Sequence, residues 1–270
     1  MNLPRLIVLL LALLQSQTSF AEKTGEIAIV LDDMGYHLND LQAFTLPKEI
    51  TFSILPYTPY AQRIAEQAHQ QGREILVHIP MQAKKDNDKL GKGALMINMQ
   101  EKTFKAALKK SLYSLPYAQG INNHMGSALT EQIKPMRWIM DVLGKQGLYF
   151  LDSRTTANTV AQSSAKTSGI PTLRRHFFLD NTRTEEAMDM QLQQAIKLSQ
   201  HNKTVVIIAH PYPETIRFLQ KKFAKPTAKV KLIALNQLIP ETQRLALLQK
   251  RSALQQANNR VTTRPLSHIQ

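Results

Sequence analysis

Residues 27–37 read IAIVLDDMGYH. Five apolar residues, Ile27 to Leu31, make a strand with no polar face, and such strands are buried on both sides. The run then meets two adjacent carboxylates, Asp32 and Asp33, followed by Met34 and Gly35. Neighbouring carboxylates repel, and beside low-dielectric walls one of them must be paired, protonated or bound to a metal. A turn explains the same letters, because Asp favours turns and Gly35 supplies a positive φ. The stretch alone leaves both explanations open.

Outward from it, short apolar runs alternate with amphipathic ones. Strands are expected at Glu26–Leu31, Ile50–Leu55, Glu74–Ile79, Gln119–Asn122, Leu148–Leu151, Arg175–Leu179, Thr204–Ala209 and Val230–Ala234. Helical spacing of apolar residues marks Pro59–Gln71, Thr103–Leu115, Pro135–Gly144 and Glu185–Ser199. Gly72, Gly147 and Gly169 sit where glycine closes helices. Repeated strand–helix units with continuously apolar strands predict a parallel sheet covered on both faces. Seven or eight units in one chain of 270 residues point to a single (β/α) barrel. Residues 83–98, AKKDNDKLGKGALMIN, read as a long loop after the third strand, and residues beyond about 240 as a final helix with a loose basic end.

In a parallel barrel the C-terminal strand ends open onto one face, where active sites are built. Those ends deliver Asp32 and Asp33, His78, then Asn122, Asn123 and His124, then Asp152, Ser153 and Arg154, then Asp180 and Asn181, and finally His210. Each residue has an ordinary explanation: Asp152 and Asp180 can cap the helices that follow them. Together they look like a metal site, because Asp, His and His from separate strands make a Zn²⁺ shell with a position open for water. A second carboxylate beside the ligand can take the water proton. Other chemistries find no support. The chain has no cysteine, no P-loop, no G-x-G-x-x-G after a strand and no zinc-binding H-E-x-x-H helix.

The N-terminus, MNLPRLIVLLLALLQSQTSFA, has a basic start, an apolar run and small residues at Ser19 and Ala21. This pattern predicts a signal peptide of residues 1–21, hence export to the periplasm or beyond. The run is short for a membrane span, so no stable membrane insertion is expected. Without a cysteine after it, a lipoprotein anchor is excluded. The formal net charge is +14 and falls by one when Arg5 is removed. In an exported protein such charge suits anionic envelope polymers, such as peptidoglycan carboxylates, rather than nucleic acid.

IVLDDMG resembles the first motif of the NodB-like polysaccharide deacetylases. With HIPM, GINNHMGS, FLDSRT, FFLDN and IIAHP, the ordered set resembles the divergent polysaccharide deacetylase family over residues 25–240. The resemblance implies a deformed (β/α) barrel of about seven strands, a domain spanning 22–240, and a C-terminal helix and basic tail over 241–270. It also implies metal-dependent removal of acyl groups from an envelope carbohydrate, an acylated polysaccharide or peptidoglycan-type glycan, with zinc as the expected divalent metal. By that correspondence Asp32 is the catalytic base, Asp33 and His78 bind metal, and His210 protonates the leaving amine. The family's H-x-x-x-H pair is absent, since His78 is followed by Ile79, Pro80, Met81 and Gln82. His124 is therefore assigned as the second histidine ligand. Asp152 would orient His210 or His124, Asn122, Asn123 and Arg154 would hold substrate or an anion, and Asp180 would support the site or cap the helix at Glu185. The alternative is a non-catalytic glycan- or partner-binding protein on the same barrel, which the missing pair favours and the retained Asp32, Asp33 and rim histidines oppose.

Overall fold

The computed structural model describes residues 24–201, 204–225 and 230–262. The expected signal peptide and the last residues of the basic tail lie outside them. Nine strands run β1 Gly25–Met34, β2 Thr51–Ile54, β3 Ile75–Met81, β4 Gly120–Met125, β5 Tyr149–Asp152, β6 Thr172–Arg174, β7 Phe177–Phe178, β8 Val205–Ala209 and β9 Val230–Leu232. Between and after them lie α1 Ala61–Gln70, α2 Glu101–Tyr113, α3 Ile133–Gln146, α4 Ala161–Thr167, α5 Glu185–Gln200, α6 Pro213–Phe223 and α7 Glu241–Thr262. Every strand pairing is parallel. The order is β6-β5-β4-β3-β2-β1-β8-β7, with β9 paired to the first residues of β1.

The two ends of that order are consecutive in the chain. Arg175 N donates to Asp152 O at 2.9 Å, and the next amide, His176 N, donates to Val206 O at 2.8 Å. One stretch thus leaves β5 as β6 and joins β8 as β7. The strand expected as Arg175–Leu179 is therefore reduced to β7, with the unexpected β6 just before it, and the ring is a barrel of seven strand positions with one broken. The break is held by side chains: the Arg175 guanidinium donates to Ser153 O at 2.6 Å and Arg154 O at 2.8 Å, and His176 Nδ1 accepts from Val206 N at 3.1 Å.

Strand side chains alternate between faces, and two apolar clusters follow. Ile27, Ile29 and Leu31 belong to the large cluster that includes Met188 and Leu192 of α5. Ala28 and Val30 join Leu76, Tyr149, Leu151, Leu173, Val206 and Ile208 in a smaller one, the barrel interior, which Leu235 and Ile239 reach from after β9. At its floor Tyr149 Oη donates to the buried Glu74 carboxylate at 2.7 Å. Gly120 makes room for that ring, because a Cβ there would stand 2.9 Å from Tyr149 side-chain carbons. The long loop 83–98 docks on the rim through Leu95, whose N–H donates to Pro80 O at 2.9 Å. α7 rests on α3 through Arg251, which donates to Gly147 O at 2.8 Å. No described helix is long and apolar enough to cross a membrane.

Candidate metal centre

Each inward row changes from apolar to polar as it reaches the C-terminal rim. Ala28 and Val30 lead to Asp32, Leu76 to His78, Gly120 to Asn122 and His124, Tyr149 and Leu151 to Ser153, and Val206 and Ile208 to His210. Alternation would turn Asp33 away from this set. It does not, because the β1–β2 register slips between Leu31 and Met34 and Asp33 takes φ 59°. A bulge with one left-handed residue re-aims a side chain, and Asp is among the few non-glycine residues that tolerate it. The two carboxylates of the motif therefore enter one site.

Asp33 Oδ1 lies 2.7 Å from His124 Nδ1 and 3.1 Å from His78 Nε2. That oxygen is buried, yet it has no hydrogen-bond partner among the described residues. Two imidazole nitrogens stand at hydrogen-bond distance from this carboxylate oxygen without hydrogen-bond angles, so the three atoms face common space, as ligands around a cation would. Asp33, His78 and His124 each offer a ligand atom, all within 4.8 Å of one another, so they could hold a metal ion. The donor set suits zinc-type coordination by nitrogen and oxygen. Burial works against charge on Asp33, but the imidazoles of His124 and His78 outweigh it and hold the carboxyl well below its usual range.

Asn122 sets the tautomer of His78. Its Nδ2 donates to Asp32 Oδ1 at 2.8 Å and Oδ2 at 3.0 Å, and to Ser153 Oγ at 3.1 Å. Its Oδ1 therefore faces Ser53 Oγ at 2.6 Å and His78 Nδ1 at 2.7 Å. His78 Nδ1 must carry the proton, so in the neutral ring Nε2 is the lone pair a metal would take. Burial lowers the ring's pKa, but Asp32 and Asp33 outweigh it and raise it. Asp32 is buried, and burial lifts its carboxyl above the ordinary range against the pull of His78 and His210.

Asp180 performs the matching task for His210. Its Oδ1 lies 2.9 Å from His210 Nδ1, and its Oδ2 accepts from His210 N at 2.7 Å and Thr215 Oγ1 at 2.9 Å. His210 Nε2 then points toward Asp33 Oδ2 at 3.9 Å. Burial lowers its pKa, but Asp180, Asp33 and Asp32 prevail and raise it to about 9. The expected cap at Glu185 is instead Thr184, whose side chain accepts from Ala187 N.

Three further expectations are corrected. Asp152 orients neither His210 nor His124: its oxygens accept from Arg154 N at 2.8 Å and Thr159 Oγ1 at 3.1 Å. Asn122 is buried and spent on Asp32, His78, Ser53 and Ser153, so it has nothing left for substrate. Asn123 bonds Met125 O at 2.7 Å and Ser153 N at 3.0 Å, both within the rim turns. Ser53 was not singled out, whereas Ser153 was read only as a strand-end residue with no role. Strand parity marks both, since they fall in inward rows. Arg154 has φ 49°, and its carbonyl accepts from Arg175.

A cavity of about 560 Å³ opens beside the cluster, lined by Asp33, His124 and His210, by Tyr36 and Tyr212, and by Lys89 of the long loop. Tyr36 leans toward that loop, where a Cβ on Gly91 would strike its hydroxyl. Tyr212 leans the other way, under the Arg183 guanidinium at 4.6 Å.

The chain is thus a parallel β/α barrel whose C-terminal rim gathers carboxylates and imidazoles, the face on which such barrels build their sites. The family model described as divergent polysaccharide deacetylase matches residues 29–239, and the chain belongs to that family. It is 36% identical over 220 residues to the uncharacterized protein YibQ of Escherichia coli K12, covering 81% of this chain and 69% of that one. It is 37% identical over 228 residues to an uncharacterized protein of Haemophilus influenzae, covering 82% and 79%. The crystal structure of uncharacterized protein ATU2773 from Agrobacterium tumefaciens shares the fold, with a TM-score of 0.72 at 21% identity, over 79% of this chain and 88% of that one.

Proposed function

We propose that the protein is a metal-dependent hydrolase that removes acetyl or related acyl groups from an envelope glycan, acting in the periplasm after loss of residues 1–21. The observation that carries this reading is the buried Asp33 Oδ1 facing two imidazole nitrogens at 2.7 and 3.1 Å, with the carboxylate of Asp32 and the imidazole of His210 alongside.

Asp33, His78 and His124 would hold the ion, zinc by ligand type, and it would supply Lewis acidity and a lowered pKa for water. Asp32 is the base. Its raised pKa brings it nearer neutral pH, where a general base works best, and Asn122 keeps both its oxygens fixed. It takes one proton from the attacking water, whose oxygen bonds to the acyl carbon. His210 is the acid. Asp180 holds its Nδ1 proton, so Nε2 can give its proton to the amine as the C–N bond breaks. The acyl product keeps the second water proton and passes it to the freed amine, giving a carboxylate and an ammonium sugar, and the proton gained by Asp32 restores His210 through solvent.

The test is metal content together with acetate release. The purified chain should bind about one divalent ion, and Asp33→Ala, His78→Ala and His124→Ala should each lose it, since each removes one of few ligands. Asp32→Asn should keep it. The wild type loaded with Zn²⁺ should release acetate from chitin oligomers, peptidoglycan fragments or acetylated xylan. A wild type that binds no metal, or that binds glycan and releases nothing, would refute this function and favour the non-catalytic alternative.

A further inference from the structure

The mechanism leaves a second rim cavity unused. It holds about 380 Å³ and is lined by Arg175, His176, Phe178, Asn181, Thr182 and Gln191, among others. It shares two walls with the catalytic cavity. Phe178 stacks on His210, with ring centroids 6.1 Å apart and planes at 22°. Thr182 adjoins Arg183, whose guanidinium covers the Tyr212 ring. The two cavities are therefore neighbours, separated at these places by the Phe178–His210 and Arg183–Tyr212 contacts.

The chemistry of this cavity is one-sided. No carboxylate lines it. His176 Nδ1 accepts the Val206 N–H, so its Nε2 carries the proton and remains as a donor. Arg175 spends Nε and Nη2 on the Ser153 and Arg154 carbonyls, and stacks 3.8 Å from the Phe178 centroid. Its Nη1 has no protein acceptor among the described residues. Burial, Arg174, Arg175 and Arg154 together press the His176 pKa down to about 4. None of these arginines has a carboxylate within 4.0 Å among the described residues, where arginine ion pairs are those of Arg183 and Arg244. In the wall itself, the Arg175 guanidinium beside a fixed imidazole donor and amide side chains suits an oxyanion, which accepts from all of them.

We propose that this cavity is an anion subsite, and that it takes the carboxylate of an acidic sugar next to the acylated one. The proposal deepens the deacetylase function and rests on it for the reaction, but not for the binding. Charge-assisted hydrogen bonds select the acidic glycan over its neutral analogue, and the chain's excess positive charge draws in such a polymer.

The test is calorimetric binding of two disaccharides that differ in one carboxylate: N-acetylglucosaminyl-N-acetylmuramic acid and N,N'-diacetylchitobiose. The mature wild type should bind the acidic sugar ~10-fold more tightly or better, with the preference shrinking as salt rises. The double variant Arg154→Gln/Arg174→Gln, which removes two charges acting on His176 and leaves Arg175 in the wall, should weaken that preference. Gln191→Glu, which puts a carboxylate into the wall, should reverse it. Equal affinity of the wild type for both sugars would overturn the subsite. So would a preference that Gln191→Glu leaves undiminished in folded protein, and inorganic phosphate displacing the acidic sugar at equal concentration would overturn its assignment to a sugar carboxylate. A protein that prefers the acid and releases no acetate would sink the hydrolase function and leave the subsite standing.

Discussion

Asn122→Asp changes one nitrogen to oxygen at the centre of the site and nothing in shape. In the wild type that nitrogen donates to both Asp32 oxygens, at 2.8 and 3.0 Å. The new carboxylate still accepts from Ser53 and His78, and Ser153 can turn its hydroxyl to donate. The lost element is the donor facing Asp32, now replaced by like charge. At about 3 Å and an effective dielectric near 20, two full charges would repel by roughly 5–6 kcal/mol. Retaining one proton costs ~1.4 kcal/mol per pH unit above an ordinary carboxylate pKa near 4, so protonation is cheaper up to roughly pH 8. The folded variant therefore holds a proton that its unfolded chain releases. A group whose carboxyl pKa is raised by folding loses stability as pH rises between its unfolded and folded values. Against wild type, the variant should be close at pH 5 and should fall behind by up to ~1.4 kcal/mol per pH unit toward pH 8. Urea denaturation of metal-free proteins at pH 5, 6.5 and 8 measures this gap. The shared proton also disables Asp32 as a base, so turnover should drop by about 10²–10⁴-fold. A stability gap that stays constant or narrows with rising pH would refute the assignment of Asn122 as the donor that keeps Asp32 ionised.

His210→Ala should keep metal and lose amide turnover by about 10²–10⁴-fold, with acetyl esters less affected because their leaving group needs less protonation. Asp180→Asn removes the carboxylate that raises His210 to about 9, so the alkaline limb of the rate profile should move to lower pH; an unmoved limb would detach His210 from the acid role. His176, pressed to about 4, is neutral when folded. Protonation of the unfolded chain should erode stability as pH falls from about 6.5 toward 4, and His176→Gln should flatten that slope relative to wild type in thermal melts. Tyr149→Phe strips one donor from buried Glu74, whose carboxyl burial already raises. It should cost about 1–3 kcal/mol in urea denaturation, more at pH 8 than at pH 5, because the charged form of Glu74 loses the bond.

The barrel was legible because its strands are apolar on both faces and its helices on one, so the periods differ along the chain. The break between β6 and β7 was not, since Thr172 to Leu179 gives no pattern that says which neighbour each half will join. That choice is made by Arg175 reaching the Ser153 and Arg154 carbonyls and by His176 accepting from Val206, all distant in sequence. The helix after His210 also escaped notice, though Pro213 and Glu214 at its start are ordinary N-terminal signals. In the site, residue types were readable and partners were not. Parity would have separated His78, Asn122, Ser153 and His210 from Asn123 and Asp152, which lie on the other face of their strands. It would also have discarded Asp33, because no sequence rule announced a bulge at that position.

Asp33 is one of three non-glycine residues held at positive φ immediately beyond the barrel's catalytic rows, with Met125 at 53° and Arg154 at 49°. Each such residue costs about 1–3 kcal/mol unless its surroundings fix it. Polar groups at the rim do the fixing, and Asn123, which the sequence offered as a substrate holder, is one of them. Asn123 and Thr155 both donate to Met125 O at 2.7 Å. Asp152 accepts from Arg154 N, and Arg175 grips the Arg154 carbonyl. Around Asp33 the clamp is Asp40, which accepts from Gly35 N at 2.8 Å and His37 N at 3.2 Å. Two of the three turns lie beside a histidine or carboxylate of the centre: Asp33 is itself the shared oxygen, and Met125 follows His124. The polar residues just outside the inward rows thus act on the centre without touching it, by holding the turns from which Asp33 and His124 reach one another.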